Sequence, residues 1–213
     1  MIAKKEIKYL ISLKQKKFRI INNEFVIEGA KLILEALIHN QSIKQIIYST
    51  KIEQFDEIRI KAKNNNIKLS LCTIKDAERI SDTKNSQQIF ALLEYPVLKN
   101  INTINKNIEK PLIILDGISD PGNMGTILRT CSWFGCYNIV LTNNSVELYN
   151  PKTVRAGMGA HFHMEDTYKG SINDIIQYLK NYDYEILTSD LKGKNIEKVK
   201  LKNKNWSLIL GNE

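Results

Sequence analysis

Asp116, Asp120, Asn123 and Arg129 are the side chains whose types and spacing point most directly to chemistry. They lie in the run LDGISDPGNMGTILRTCSWFG, residues 115–135. The guanidinium of Arg129 is a planar, charged fork of hydrogen-bond donors. The amide of Asn123 both donates and accepts hydrogen bonds. Gly122 and Gly125 remove side chains where a backbone or ligand must come close. Other chemistries lack support. Ser132 has no G-x-S-x-G context for nucleophilic hydrolysis, and there is no Walker or G-x-G-x-x-G run. His161 and His163 form an H-x-H without partners at ligand spacing. In a strand they would share one side, and a structural or surface role is expected, with no metal.

The elements that hold these residues are readable. Pro111 opens the apolar run Leu112–Leu115, short and β-branched enough for a buried strand. Asp120 suits a helix N-cap and Pro121 the first helical position. Asn123 is open to two readings, a cap or a site residue. Met124 to Phe134 reads as an amphipathic helix, with Met124, Ile127, Leu128, Cys131 and Phe134 toward the core and Arg129 off that stripe.

The rest of the chain follows the same style. Residues 1–96 read as a small α/β unit that begins with a basic helix over Ile7–Lys17. Residues 97–110, rich in Asn and Lys, read as a linker. Residues 111–213 alternate strands and helices, which predicts a mostly parallel sheet with ligands at the strand C-termini. Strands are expected at Tyr137–Thr142, Tyr184–Thr188 and Trp206–Leu210, and helices from Pro151 and over Asn173–Lys180.

The 213 residues carry a formal net charge of +8 and 43% hydrophobic residues, enough for a core. Lys4, Lys5, Lys8, Lys14, Lys16, Lys17 and Arg19 stand against Glu6 alone in the first twenty positions. Such a face suits phosphate contacts, although the Lys, Asn and Ile bias of the whole chain explains part of it. No signal peptide or membrane-length apolar run is present, so a soluble cytoplasmic protein without membrane contact is expected. Three cysteines without a C-x-x-C predict buried, reduced thiols.

Asp116, Asp120, Pro121, Asn123, Gly125, Arg129 and Thr130 match D-x-x-x-D-P-x-N-x-G-x-x-x-R-T, so this segment resembles motif 1 of the SpoU/TrmH branch of the SPOUT RNA 2'-O-methyltransferases. Pro151 to Ala160 resembles that family's P-K-x-x-R-A-S-x-G-A run, with Gly157 where Ser is usual. Gly211-Asn212-Glu213 resembles its G-N-E motif. Phe25 to Leu37 resembles the V-x-E-G-x-x-x-V-x-E-A-L segment of the family's RNA-substrate-binding domain, and Gln87 to Ala91 its closing strand, with Gln88 where Gly is frequent.

The resemblance implies a ribosomal-protein-like RNA-binding domain over 1–96 and a SPOUT domain of trefoil-knot type over 111–213. It implies transfer of a methyl group from S-adenosyl-methionine to a ribose 2'-hydroxyl of RNA, with rRNA expected before tRNA, by a homodimer. The catalytic residues it implies are Arg129, Asn123 and Glu213. Gly211, Thr188 and Leu210 are expected to hold the cofactor. Lys14, Lys16, Lys17, Arg19, Glu28, Lys152 and Arg155 are expected to meet RNA. Lys152 and Arg155 share a helix face. Because arginine is a poor base, phosphate binding and alkoxide stabilisation are favoured for Arg129 over proton abstraction. The family continues past G-N-E into a third motif, so the methyltransferase domain is expected to be C-terminally incomplete. The sequence is then either a piece of a longer enzyme or a truncated homologue, which would leave the cofactor site unfinished and the last strand's edge exposed. A non-catalytic RNA-binding remnant is the alternative function.

Overall fold

The computed structural model describes residues 1–49, 52, 55–108, 110–190 and 192–211, with the side chain of residue 196 left aside. The chain forms two compact units, Met1–Pro96 with Glu147–Phe162 and Val97–Val146 with His163–Glu213.

The first unit opens with α1 (Lys4–Ser12) and α2 (Lys16–Asn22), followed by β1 (Glu24–Glu28), α3 (Ala30–Ile38), β2 (Ile43–Tyr48), α4 (Phe55–Asn64), β3 (Lys68–Leu71), α5 (Ile74–Ile80) and β4 (Ile89–Glu94). The sheet order is β1-β4-β2-β3, with β4 antiparallel to both β1 and β2, and β3 parallel to β2. Ile7, Leu10 and Leu13 pack with Ile47, Phe90 and Ile80 in its core. The single basic helix expected over Ile7–Lys17 is instead two helices. Arg19 explains the break. Its Nη1 donates to the carbonyls of Leu13 and Lys14 at 2.8 and 2.7 Å, oxygens that a continuous helix would commit to its own amides. Gln88 keeps the turn before β4 at φ +56°, a left-handed conformation natural to glycine.

The second unit has β5 (Lys99–Asn100), β6 (Leu112–Asp116), α6 (Pro121–Trp133) and β7 (Asn138–Thr142). The chain then contributes α7 (Pro151–Gly157) to the first unit and returns with β8 (Asp166–Gly170), α8 (Ile172–Asn181), β9 (Glu185–Thr188) and β10 (Trp206–Gly211). The stretch 97–110, read as a linker, thus carries β5 and a 3-10 turn.

All strand pairings of the second sheet are parallel, in the order β5-β8-β7-β6-β10-β9. Leu112 and Ile114 join Val140, Tyr168, Ile175 and Leu179 in one core cluster. Ile113 and Leu115 are buried as well, as a parallel strand covered on both faces requires. The exposed edge expected for the last strand is not found, because β10 lies between β6 and β9 and is paired on both sides. β8 was not evident in the sequence. Its residues DTYKG are mostly polar, with only Tyr168 and Gly170 buried.

A candidate methyl-transfer site and RNA-binding surface

In the second unit, β6 delivers the chain to the C-terminal edge of the sheet at Asp116, and the loop 117–120 turns it into α6. Asp120 is the N-cap. Its Oδ1 accepts the amide of Asn123 at 2.7 Å, and its carbonyl accepts the amide of Met124 at 3.0 Å. Pro121 occupies the first turn, where its missing N–H leaves nothing unsatisfied. The cap is therefore supplied by Asp120, which leaves the Asn123 side chain in solvent.

Met124, Leu128 and Cys131 face the core, and Gly122, Asn123, Thr126, Arg129 and Thr130 form the exposed flank of α6. Arg129 stands six residues after Asn123, about 9 Å along the helix axis. Phe134, expected in the core, is 74% exposed beside Trp133 at 86%. It is the C-cap residue, past the last helical turn, so the stripe no longer carries it inward.

The residues expected to hold a cofactor meet at the same edge. Gly211 is in register with Asp116 across β10 and β6, and Thr188 of β9 pairs with Ile209, two positions earlier. Thr188 and Gly211 are exposed and Leu210 is half-buried. Among the described residues, a Cβ placed on Gly211 would meet no atom within 4 Å. Glu213, expected as the third catalytic residue, lies outside the described residues.

The residues expected to meet RNA divide. Lys16 and Lys17 are exposed on α2, and Lys152 is exposed on α7. Lys14 is half-buried, with Nζ 2.6 Å from the carbonyl of Ser81 and 3.2 Å from Asp82. Arg19 is corrected outright, since it is only 2% exposed. Its Nε and Nη2 form a fork on both oxygens of Glu147 at 2.8 and 2.6 Å. The pair is buried and anchors the chain just before α7, so Arg19 is structural. Glu28 accepts from Ser81 Oγ, Ser86 Oγ and the amide of Gln87, which shapes the loop before β4. Glu28 also lines a groove of about 1010 Å³ with Gly29, Lys31, Asn85, Gln87 and Arg155. The groove therefore brings together two of the expected residues, Glu28 and Arg155.

His161 and His163 lie in a 3-10 turn rather than a strand. His161 is buried, and burial lowers its imidazole pKa to about 4. Its Nε2 lies 3.0 Å from the carbonyl of Leu148, which fixes the neutral tautomer with the proton on Nε2. Its Nδ1 has no partner among the described residues. Gly157, where the resembled family has Ser, explains the fit, because a Cβ there would lie 2.4 Å from the imidazole ring. Burial raises the Cys72 and Cys131 thiols to about 11 and about 12, so neither is a nucleophile at neutral pH. Both are buried, whereas Cys136, also expected to be buried, is half-exposed.

The chain has counterparts among known proteins. Residues 110–213 match the SpoU rRNA Methylase family, and residues 4–91 match the MRM3-like substrate binding domain. An uncharacterized tRNA/rRNA methyltransferase of Borreliella burgdorferi is 33% identical over 178 residues, which are 78% of this chain and 78% of that protein. The 23S rRNA (guanosine(2553)-2'-O)-methyltransferase of Bacillus subtilis is 28% identical over 202 residues, 94% of this chain and 76% of that protein. The AdoMet-bound rRNA methyltransferase from Sinorhizobium meliloti superposes with a TM-score of 0.85 at 26% identity, covering 100% of this chain and 80% of the other. With its motif residues on one strand–turn–helix unit and these matches over both units, the chain belongs to the SpoU rRNA methylase family.

Proposed function

We propose that this chain transfers a methyl group to a ribose 2'-hydroxyl of rRNA, using S-adenosyl-methionine. The observation that carries this reading is one edge of one sheet. Asp116, Gly211 and the loop into α6 converge there, and α6 presents Asn123 and Arg129 to solvent.

Gly211, Leu210 and Thr188 fit the cofactor, because strand register brings them to one sheet edge beside Asp116, where Gly211 presents backbone without a side chain. When bound, S-adenosyl-methionine supplies an electrophilic methyl group. The protein's own task is to align the ribose and stabilise the charge that develops on its oxygen as the hydroxyl proton leaves to solvent. Arg129 binds the adjacent phosphate and stabilises the developing alkoxide. Asn123 orients the ribose through its amide. Lys16, Lys17 and Lys152 meet the RNA backbone, and the groove at Glu28 and Arg155 receives part of the RNA.

The finer features are proposed on the same footing. Residues 1–96 serve as the RNA-binding domain and 111–213 as a knotted methyltransferase domain. The protein acts in the cytoplasm as a homodimer, with rRNA ahead of tRNA as substrate. The exposed Trp133 and Phe134 supply apolar surface for such a pairing.

The test is transfer of a labelled methyl group to rRNA, beside binding of S-adenosyl-homocysteine. Wild-type protein should do both. Arg129→Ala should lower transfer by about 10²–10³-fold and leave S-adenosyl-homocysteine binding within about twofold. Binding of RNA without transfer by wild-type protein would favour an RNA-binding remnant.

A further inference from the structure

Beyond the motif residues, a hydrogen-bonded clamp joins the C-terminal ends of β6 and β7. Thr142 is the last residue of β7 and is 5% exposed. Its Oγ1 accepts the amide of Gly117, the first residue after β6, at 2.9 Å. The same hydroxyl donates to Oδ1 of Asn144 at 2.6 Å. The other end of that amide, Nδ2, faces Gly117. A Cβ on Gly117 would lie 3.1 Å from that nitrogen. Gly117 sits at φ +66°, so a side chain there would be strained as well as crowded. Two more bonds close the clamp. Ser145 Oγ donates to the carbonyl of Leu115 at 2.8 Å, and the amide of Val146 donates to the carbonyl of Ile118 at 2.7 Å.

We propose that Thr142 is a positioning residue for methyl transfer, acting with Asn144 to fix Gly117 and thereby the loop that aims α6. The inference rests on the methyltransferase reading above. The loop has no helix or strand of its own, and only residues 117–120 separate the last strand residue from the first helical one. An error at Gly117 therefore passes to the Asp120 cap and on to Asn123 and Arg129. Misplacement of about 1 Å is enough to slow an aligned reaction by about 10²-fold. Neither Thr142 nor Asn144 touches the reacting atoms in this role.

The test compares Thr142→Val, which keeps the shape and removes the hydroxyl, with Thr142→Ser, which restores it. Thr142→Val should lower kcat about tenfold, with KM for rRNA and Kd for S-adenosyl-homocysteine within about twofold of wild type. Its Gly117 amide should exchange with solvent faster. Thr142→Ser should recover both kcat and protection. Should Thr142→Val fail to fold, the exposed Asn144→Ala serves in its place, with kcat reduced about three- to tenfold. Wild-type kcat in Thr142→Val or Asn144→Ala, or a Thr142→Ser protein as slow as Thr142→Val, would overturn the proposal. If wild-type protein transfers no methyl group, the enzymatic reading fails, and Gly117 exchange then decides whether Thr142 fixes the loop.

Discussion

His161 shows how one buried atom sets a pH limit on the fold. In the unfolded chain its imidazole titrates near the ordinary value of 6.5, and in the fold burial lowers this to about 4. Between these values the unfolded state binds the extra proton, so stability is full above about pH 7 and falls as pH drops from 6.5 toward 4. The loss attributable to this residue is about 3 kcal/mol. Urea titrations of wild type and His161→Phe between pH 4 and 7 should show a shallower decline in the variant. An equal slope in both proteins would remove His161 from the account. The sequence displayed His161 as half of an H-x-H, but its burial depends on Gly157 leaving room for the ring. Arg19 teaches the same lesson. Among lysines it looked like a phosphate contact, yet its partner Glu147 lies 128 residues away, beyond any local pattern.

At the scale of elements, those with strong periodicity or turn chemistry were legible. α6 was framed by Asp120 and Pro121, and β6 by its apolar run. The break between α1 and α2 was not legible, because a tertiary group captures the carbonyls of Leu13 and Lys14. That group also fixes the entry to α7. Arg19→Ala would leave Glu147 buried and unpaired and should destabilise the protein by about 3–5 kcal/mol. The double change Arg19→Met with Glu147→Leu should recover only part of that loss, because an apolar pair avoids desolvating two charges but leaves the carbonyls of Leu13 and Lys14 without their donor. Chemical denaturation of the three proteins checks this. A single variant with wild-type stability would contradict the structural role of the pair. The cofactor end proposed for the site rests on resemblance, since Thr188, Leu210 and Gly211 carry no local signature and are brought to one edge by strand register.

For the whole molecule, the parallel sheet of the second unit was legible from alternating strands and helices. The passage of Glu147–Phe162 into the first unit was not, because no change in composition marks it. It places Lys152 and Arg155 in the same unit as Lys16 and Lys17. The formal charge of +8 predicts RNA affinity that falls steeply with salt. Lys16→Glu with Lys17→Glu should weaken RNA binding and flatten the salt dependence, while S-adenosyl-homocysteine binding stays unchanged. Filter binding across a salt series would show it, and an unaltered slope would remove α2 from the RNA surface.

The chemistry proposed for the end of β6 can be read by mass spectrometry of nucleosides from rRNA treated with the protein and S-adenosyl-methionine. A 2'-O-methylated nucleoside is expected with wild-type protein, reduced by about 10²–10³-fold with Arg129→Ala. A nucleoside methylated on its base, or undiminished 2'-O-methylation by Arg129→Ala, would contradict it.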